Sequence, residues 1–272
     1  MNERKNGRAS RGLGAQRILG AHYRYALYAP GRVAFLLTLA GLAVAGTAGA
    51  QTYPATDALW VPLVRYDVDS STNVPIGDIP GDVQGPRDVV GDPANPAMYV
   101  ASDATHYYFR LRLNDDPMQN ATKLAPFGWG CLIDTDNDLS DFELSTIVSG
   151  VSSDQVALFS NTTMGSPNDP KDTPEATLKV YLTPIATSYA RRSPATSTFS
   201  TNADYFLDWA VERSAMVAAG VADGAALRLA CGSSNEGNRL SSDFSGDILS
   251  LPVLFSEPVV CWPLSSIDAL SA

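Results

Sequence analysis

The stretch HYYFRLRLN, from His106 to Asn114, decides how the rest of the chain is read. Tyr107, Phe109, Leu111 and Leu113 stand at every second position, and Tyr108, Arg110, Arg112 and Asn114 fill the positions between them. Successive side chains of an extended strand point to opposite faces, so this spacing predicts a strand with one buried face and one wet face.

The same period recurs on either side. GWGCLID (128–134) places Trp129, Cys131 and Ile133 on one face, and DYFLDWAVE (204–212) does so with Tyr205, Leu207, Trp209 and Val211. ELSTIVS, DQVALFS, ATLKVYL and ALRLACG read as further strands, with turn signals such as Asn114-Asp115-Asp116-Pro117 between them. Helical periodicity is nearly absent, apart from a turn or two expected around SAMVAAGVADGAA. The predicted class is all-β, an antiparallel sandwich of jelly-roll type. Its expected core holds Tyr107, Phe109, Leu111, Trp129, Ile133, Leu207, Trp209 and Leu229.

Two segments break the pattern. Residues 77–96 are rich in glycine, proline and aspartate, with one short strand expected at Asp88 to Val90. Residues 165–203 carry five prolines around ATLKVYL and read as long surface loops.

The first fifty residues differ in kind. They hold seven basic residues against the single acid Glu3, and VAFLLTLAGLAVAGTAGA follows Arg32 without a charge. A basic leader, an apolar run and small residues at Ala48 and Ala50 are the pattern of a secretory signal cleaved before Gln51. The competing reading is a membrane anchor, since eighteen residues just span a bilayer. The expectation is therefore a signal segment over 1–50 and one sandwich domain over 51–272. That domain is secreted, periplasmic or held at the cell surface, with no stable membrane insertion after cleavage.

The exported part keeps 12 basic and 28 acidic residues, a formal charge of −16. Such a field repels nucleic acid and anionic lipid and attracts divalent cations. Cys131, Cys231 and Cys261 all lie in this part, where disulfides persist. Cys131 alternates with Trp129 and Ile133 as a buried strand residue does, which favours pairing Cys231 with Cys261. Spacing alone leaves the connectivity open, three reduced thiols included.

CLIDTDNDLSDFE, from Cys131 to Glu143, carries five acids in ten residues. A tight turn there converges Asp134, Asp136, Asp138 and Asp141 on one point, the kind of oxygen cluster that calcium takes. The order fits an EF-hand loop for five positions only, because Leu139 replaces the glycine and Ser145 the closing glutamate. The alternative is a polar turn whose acids are simply solvated.

Catalysis finds little support. The exported part has one histidine, His106, and no nucleophile elbow accompanies it, so the expectation is a non-catalytic protein. Asp208, between Phe206 and Ala210, reads as semi-buried and accepting backbone hydrogen bonds, or else binding a ligand. Trp129 and Trp209 read as core, leaving Trp60 and Trp262 as positions for an exposed sugar platform. Asn120 and Asn161 head N-A-T and N-T-T sequons.

Together, GPRDVVGDPANPAMYVASDATHYYFRLRLNDDP, FGWGCLIDTDND and DYFLDWAVE resemble exported bacterial sandwich proteins related to family 9 carbohydrate-binding modules and the DOMON-like group, over roughly residues 77–245. The resemblance implies a non-catalytic module that binds a saccharide or another ligand, sometimes with calcium at Asp134, Asp136 and Asp138. A polysaccharide or cell-surface glycan is then the expected partner. The alternative function is a structural or surface-associated protein without a small-molecule ligand.

Overall fold

The computed structural model describes residues 51–138, 140–167, 169–244, 250–254 and 260–261, the last pair by backbone alone. The signal segment, Trp262 and the Cys261 side chain lie outside the described residues. The strands begin with β1 (Val61–Pro62), β2 (Val64–Asp67), β3 (Thr72–Pro75), β4 (Met98–Ser102), β5 (His106–Leu113), β6 (Met118–Asn120) and β7 (Lys123–Leu124). They continue with β8 (Gly128–Asp134), β9 (Leu144–Ser149), β10 (Gln155–Ser160), β11 (Ala176–Leu182), β12 (Ala190–Pro194) and β13 (Tyr205–Glu212). After the one described α-helix, α1 (Arg213–Ala218), come β14 (Ala226–Ser234), β15 (Asp243–Phe244), β16 (Val253–Leu254) and β17 (Val260–Cys261).

Two antiparallel sheets carry the fold. One has the order β1-β4-β5-β13-β12, the other β11-β10-β9-β8-β14-β16-β17 with β15 also on β14. Their inner faces share one apolar cluster, in which all eight residues expected in the core are fully buried. Phe109 and Trp209 stack at 5.4 Å, and Trp209 Nε1 donates to Thr146 Oγ1 at 3.2 Å, linking the two sheets. Each large apolar side chain buried this way contributes about 1.5–3 kcal/mol. The all-β antiparallel sandwich expected from the alternation is present, and so is the short helix before β14.

The wet face assigned to β5 is not wet. Tyr108, Arg110 and Arg112 are as buried as their alternates, because residues 53–60 and neighbouring strands cover them. Arg110 lies over the Trp60 ring at 4.1 Å and the Phe206 ring at 4.2 Å. It donates Nε and Nη2 to Asp208 at 2.7 and 3.0 Å, and Nη1 to Asp57 at 2.7 Å. Asp208 also accepts from Arg191 Nε at 2.8 Å. A fully buried carboxylate is tolerable when paired like this, so Asp208 is an ion-pair hub, its oxygens taken by Arg110 and Arg191 among the described residues. Trp60 is buried with it and offers no exposed platform.

The favoured cysteine pairing is also corrected. Cys131 and Cys231 stand directly opposite each other on β8 and β14 and form the disulfide. Alternation correctly placed Cys131 inside, but its partner strand delivers a second buried cysteine at the same level.

In the expected loops, residues 165–203 contain the edge strand β12 besides β11. Within 77–96, only isolated bridges join Asp78 to Gly91 and Val89 to Leu113. Among the described residues no helix is long and apolar enough to cross a membrane.

Candidate functional site

Chemistry collects first at the turn between β8 and β9. Asp134 ends β8, fully buried, and its Oδ1 accepts the N–H groups of Asp136 and Asn137 at 3.1 and 2.7 Å. Asn137 takes a positive φ of 67° to close the turn, a conformation Asn tolerates better than most residues. Its Oδ1 accepts from Arg228 Nε at 3.1 Å. Glu143 folds back so that Oε2 accepts from Thr135 N and Oγ1 at 2.6 and 2.8 Å.

Carboxylate oxygens of Asp134, Asp136 and Glu143 thereby lie within 4.8 Å of one another. Asp134 Oδ2 is sealed from solvent and has no hydrogen-bond partner. Burial pushes the Asp134 carboxyl up to about 6 against the pull of two backbone N–H groups, and Glu143 and Asp136 push the same way. An all-oxygen group with one buried, unpaired acceptor suits a hard cation such as calcium.

The expected ligand residues divide. Asp134 and Asp136 come together, while Asp138 is exposed and binds its own turn, taking Ser140 N and Oγ at 3.0 and 2.8 Å. Asp141 lies beside Glu143, whose charge, after burial, raises its pKa. Glu143 takes the place expected for Asp138, because Glu143 folds back onto Thr135 while Asp138 is held by its own turn at Ser140.

The second place is a cleft of about 570 Å³ at the end of β5 and β13, lined by Asp103, His106, Tyr108, Tyr189, Glu212 and Arg213 among others. His106 and Glu212 are partners in the β5–β13 register. Thr105 Oγ1 donates to Asp103 Oδ1 at 2.8 Å, so its oxygen receives the His106 Nδ1 proton, also at 2.8 Å. That assigns the tautomer and leaves His106 Nε2 without a partner and sealed from solvent, behind the cleft surface. Burial holds the His106 pKa below its ordinary value, although Asp103 and Glu212 oppose this.

Tyr189 donates to Glu212 Oε1 at 2.9 Å, and Tyr108 to Asp103 Oδ2 at 2.6 Å. Burial, then the bond to Glu212, pushes the Tyr189 hydroxyl up to about 12, so it keeps its proton. Tyr181 stacks behind Tyr189 at 4.0 Å and stiffens that wall. The cleft therefore sets carboxylate acceptors beside a phenol ring, with the His106 imidazole buried behind them. His106, the one histidine of residues 51–272, stands at the start of β5. Tyr189 and Glu212 carried no signal of their own, since the cleft exists only once β5 and β13 pair. Of the sequon residues, Asn120 is exposed, whereas Asn161 is buried against Met164 and inaccessible in the folded state.

Comparison of the chain with protein-family models, with curated proteins and with solved structures returns no match.

Proposed function

We propose that this protein is an exported, non-catalytic β-sandwich that binds a polyhydroxylated ligand, a saccharide first among them, and is stabilised by calcium at the turn after β8. The observation that carries the ligand reading is the His106 cleft. Sugars offer hydroxyl donors and C–H faces, and the cleft supplies carboxylate acceptors on Asp103 and Glu212 beside the ring of Tyr189. The resemblance to family 9 carbohydrate-binding modules agrees with this class of ligand, and the leader over residues 1–50 supports export. A screen of the protein against a glycan array and cell-wall fractions tests the reading. Binding to at least one polysaccharide is expected, and binding to none overturns it.

A second reading, a structural or surface-associated protein, is favoured by β11. This sheet-edge strand exposes Leu178, Val180 and Leu182 in a row, a surface suited to pairing with another chain. Sedimentation that stays monomeric at high concentration counts against self-association along that edge.

A further inference from the structure

Away from the turn after β8, three carboxylates meet where the 77–96 loop crosses β14 and β15, with a fourth, Asp88, nearby. Asp78, Asp82 and Asp88 come from the loop and Asp243 from β15. Oxygens of Asp78, Asp82 and Asp243 lie within 4.8 Å of one another.

Close backbone packing builds this cluster. Asp78 and Gly91 exchange hydrogen bonds of 2.9 and 3.1 Å, and a Cβ on Gly77 would stand 2.6 Å from Gly91 O. On the other side, a Cβ on Gly232 would collide with the carbonyl of Asp243, so the glycine lets β15 press onto β14. The loop and the strand are then fastened together, because Asp243 Oδ2 accepts the Val89 N–H at 2.6 Å.

The buried acids are only half satisfied. Asp88 is fully buried, and its Oδ2 accepts from Gly81 N at 2.9 Å and Asn114 Nδ2 at 2.6 Å. Its Oδ1 is sealed from solvent without a partner, and so is Asp78 Oδ2. The nearby Arg87 guanidinium is directed to Ser242 Oγ and the Phe127 ring, and no ion pair between it and these acids occurs among the described residues. Burial, then the charge of Asp243, pushes Asp78 up to about 8, and burial raises Asp243 and Asp88 as well. Unpaired buried carboxylates are costly, and a counter-ion removes that cost.

We propose that Asp78, Asp82 and Asp243, with Asp88 against them, hold a second divalent cation of calcium type that ties the 77–96 loop to β15. An oxygen-only donor set selects a hard ion over zinc or copper, and the exposed Asp82 leaves one side open to water ligands. The competing state is a proton shared between Asp78 and Asp243.

Calcium stoichiometry of the full chain, measured by equilibrium dialysis at pH 7.5, separates the two. Asp78→Asn with Asp82→Asn should bind one calcium fewer than the wild type. Asp134→Asn with Glu143→Gln reports on the other turn independently, so failure of either site is distinguishable from failure of the other. The single change at exposed Asp82, Asp82→Asn, leaves the buried packing intact and should weaken one class of site roughly tenfold, since ligand charge sets calcium affinity. Unchanged stoichiometry in the double variant, or an unchanged isotherm in Asp82→Asn, overturns the second site in favour of the shared proton.

Discussion

Cys131 of β8 and Cys231 of β14 face each other across the ladder and are joined by a disulfide that closes a sequence separation of 100 residues. The bridge lies in the shared core beside Trp129 and Ile133, and it links two central strands of the larger sheet. Cross-linking distant residues restricts the unfolded chain most. Cys131→Ala with Cys231→Ala should therefore lower stability by about 2–5 kcal/mol in denaturant titrations. A loss below about 0.5 kcal/mol would mean that the bridge contributes little to holding the sheet together.

The ion-pair hub gives a contrast within one network. Arg110→Ala strips a fully buried Asp208 of its bidentate partner and should cost about 3–5 kcal/mol. Asp57, at the exposed end of the same guanidinium with 74% of its side chain accessible, should cost less than about 1 kcal/mol as Asp57→Ala. Chemical unfolding of both variants checks this, and equal losses would contradict the assignment of Asp208 as the hub.

Much of this fold was legible from alternation, because a period of two is a local property. Trp129, Leu207 and Trp209 had to face inward whatever their partners. The second face of β5 was not legible. Arg110 and Arg112 are residue types that ordinarily meet water, and their cover comes from residues 53–60 and from β13, which local pattern cannot place. The disulfide was hidden for the same reason, since the level at which Cys231 meets Cys131 is set by the β8–β14 register. Of the acids, the run from Asp134 to Glu143 was visible as a cluster. Asp78 and Asp243 come from opposite ends of the domain, and only the folded chain brings them together.

For the turn after β8, calcium bound to the folded state alone adds about 2.7 kcal/mol at a hundredfold excess over Kd. In a domain of this size that is a rise in melting temperature of roughly 5–10 °C. Asp134→Asn with Glu143→Gln should remove this share of the calcium response in thermal melts. If the variant gains as much from calcium as the wild type, the turn is a solvated one.

His106 makes stability depend on pH. Its folded pKa lies below the ordinary 6.5, so the unfolded chain binds the proton more readily. The stability from neutral His106 is fully present above about pH 6.5 and is lost as pH falls through the folded pKa. His106→Gln should flatten the stability profile between about pH 7 and 5 relative to the wild type. Parallel profiles from equilibrium unfolding would show that His106 is not strained toward neutrality.

The central claim is that the His106 cleft holds a saccharide, and affinity electrophoresis through gels loaded with soluble polysaccharides tests it most directly. The wild type should be retarded in at least one gel. Tyr189→Ala, which removes one aromatic wall of the cleft, should migrate there with its retardation cut roughly tenfold, matching the loss of about 1.4 kcal/mol of binding. No retardation in any gel, or equal retardation of the wild type and Tyr189→Ala, would contradict the claim.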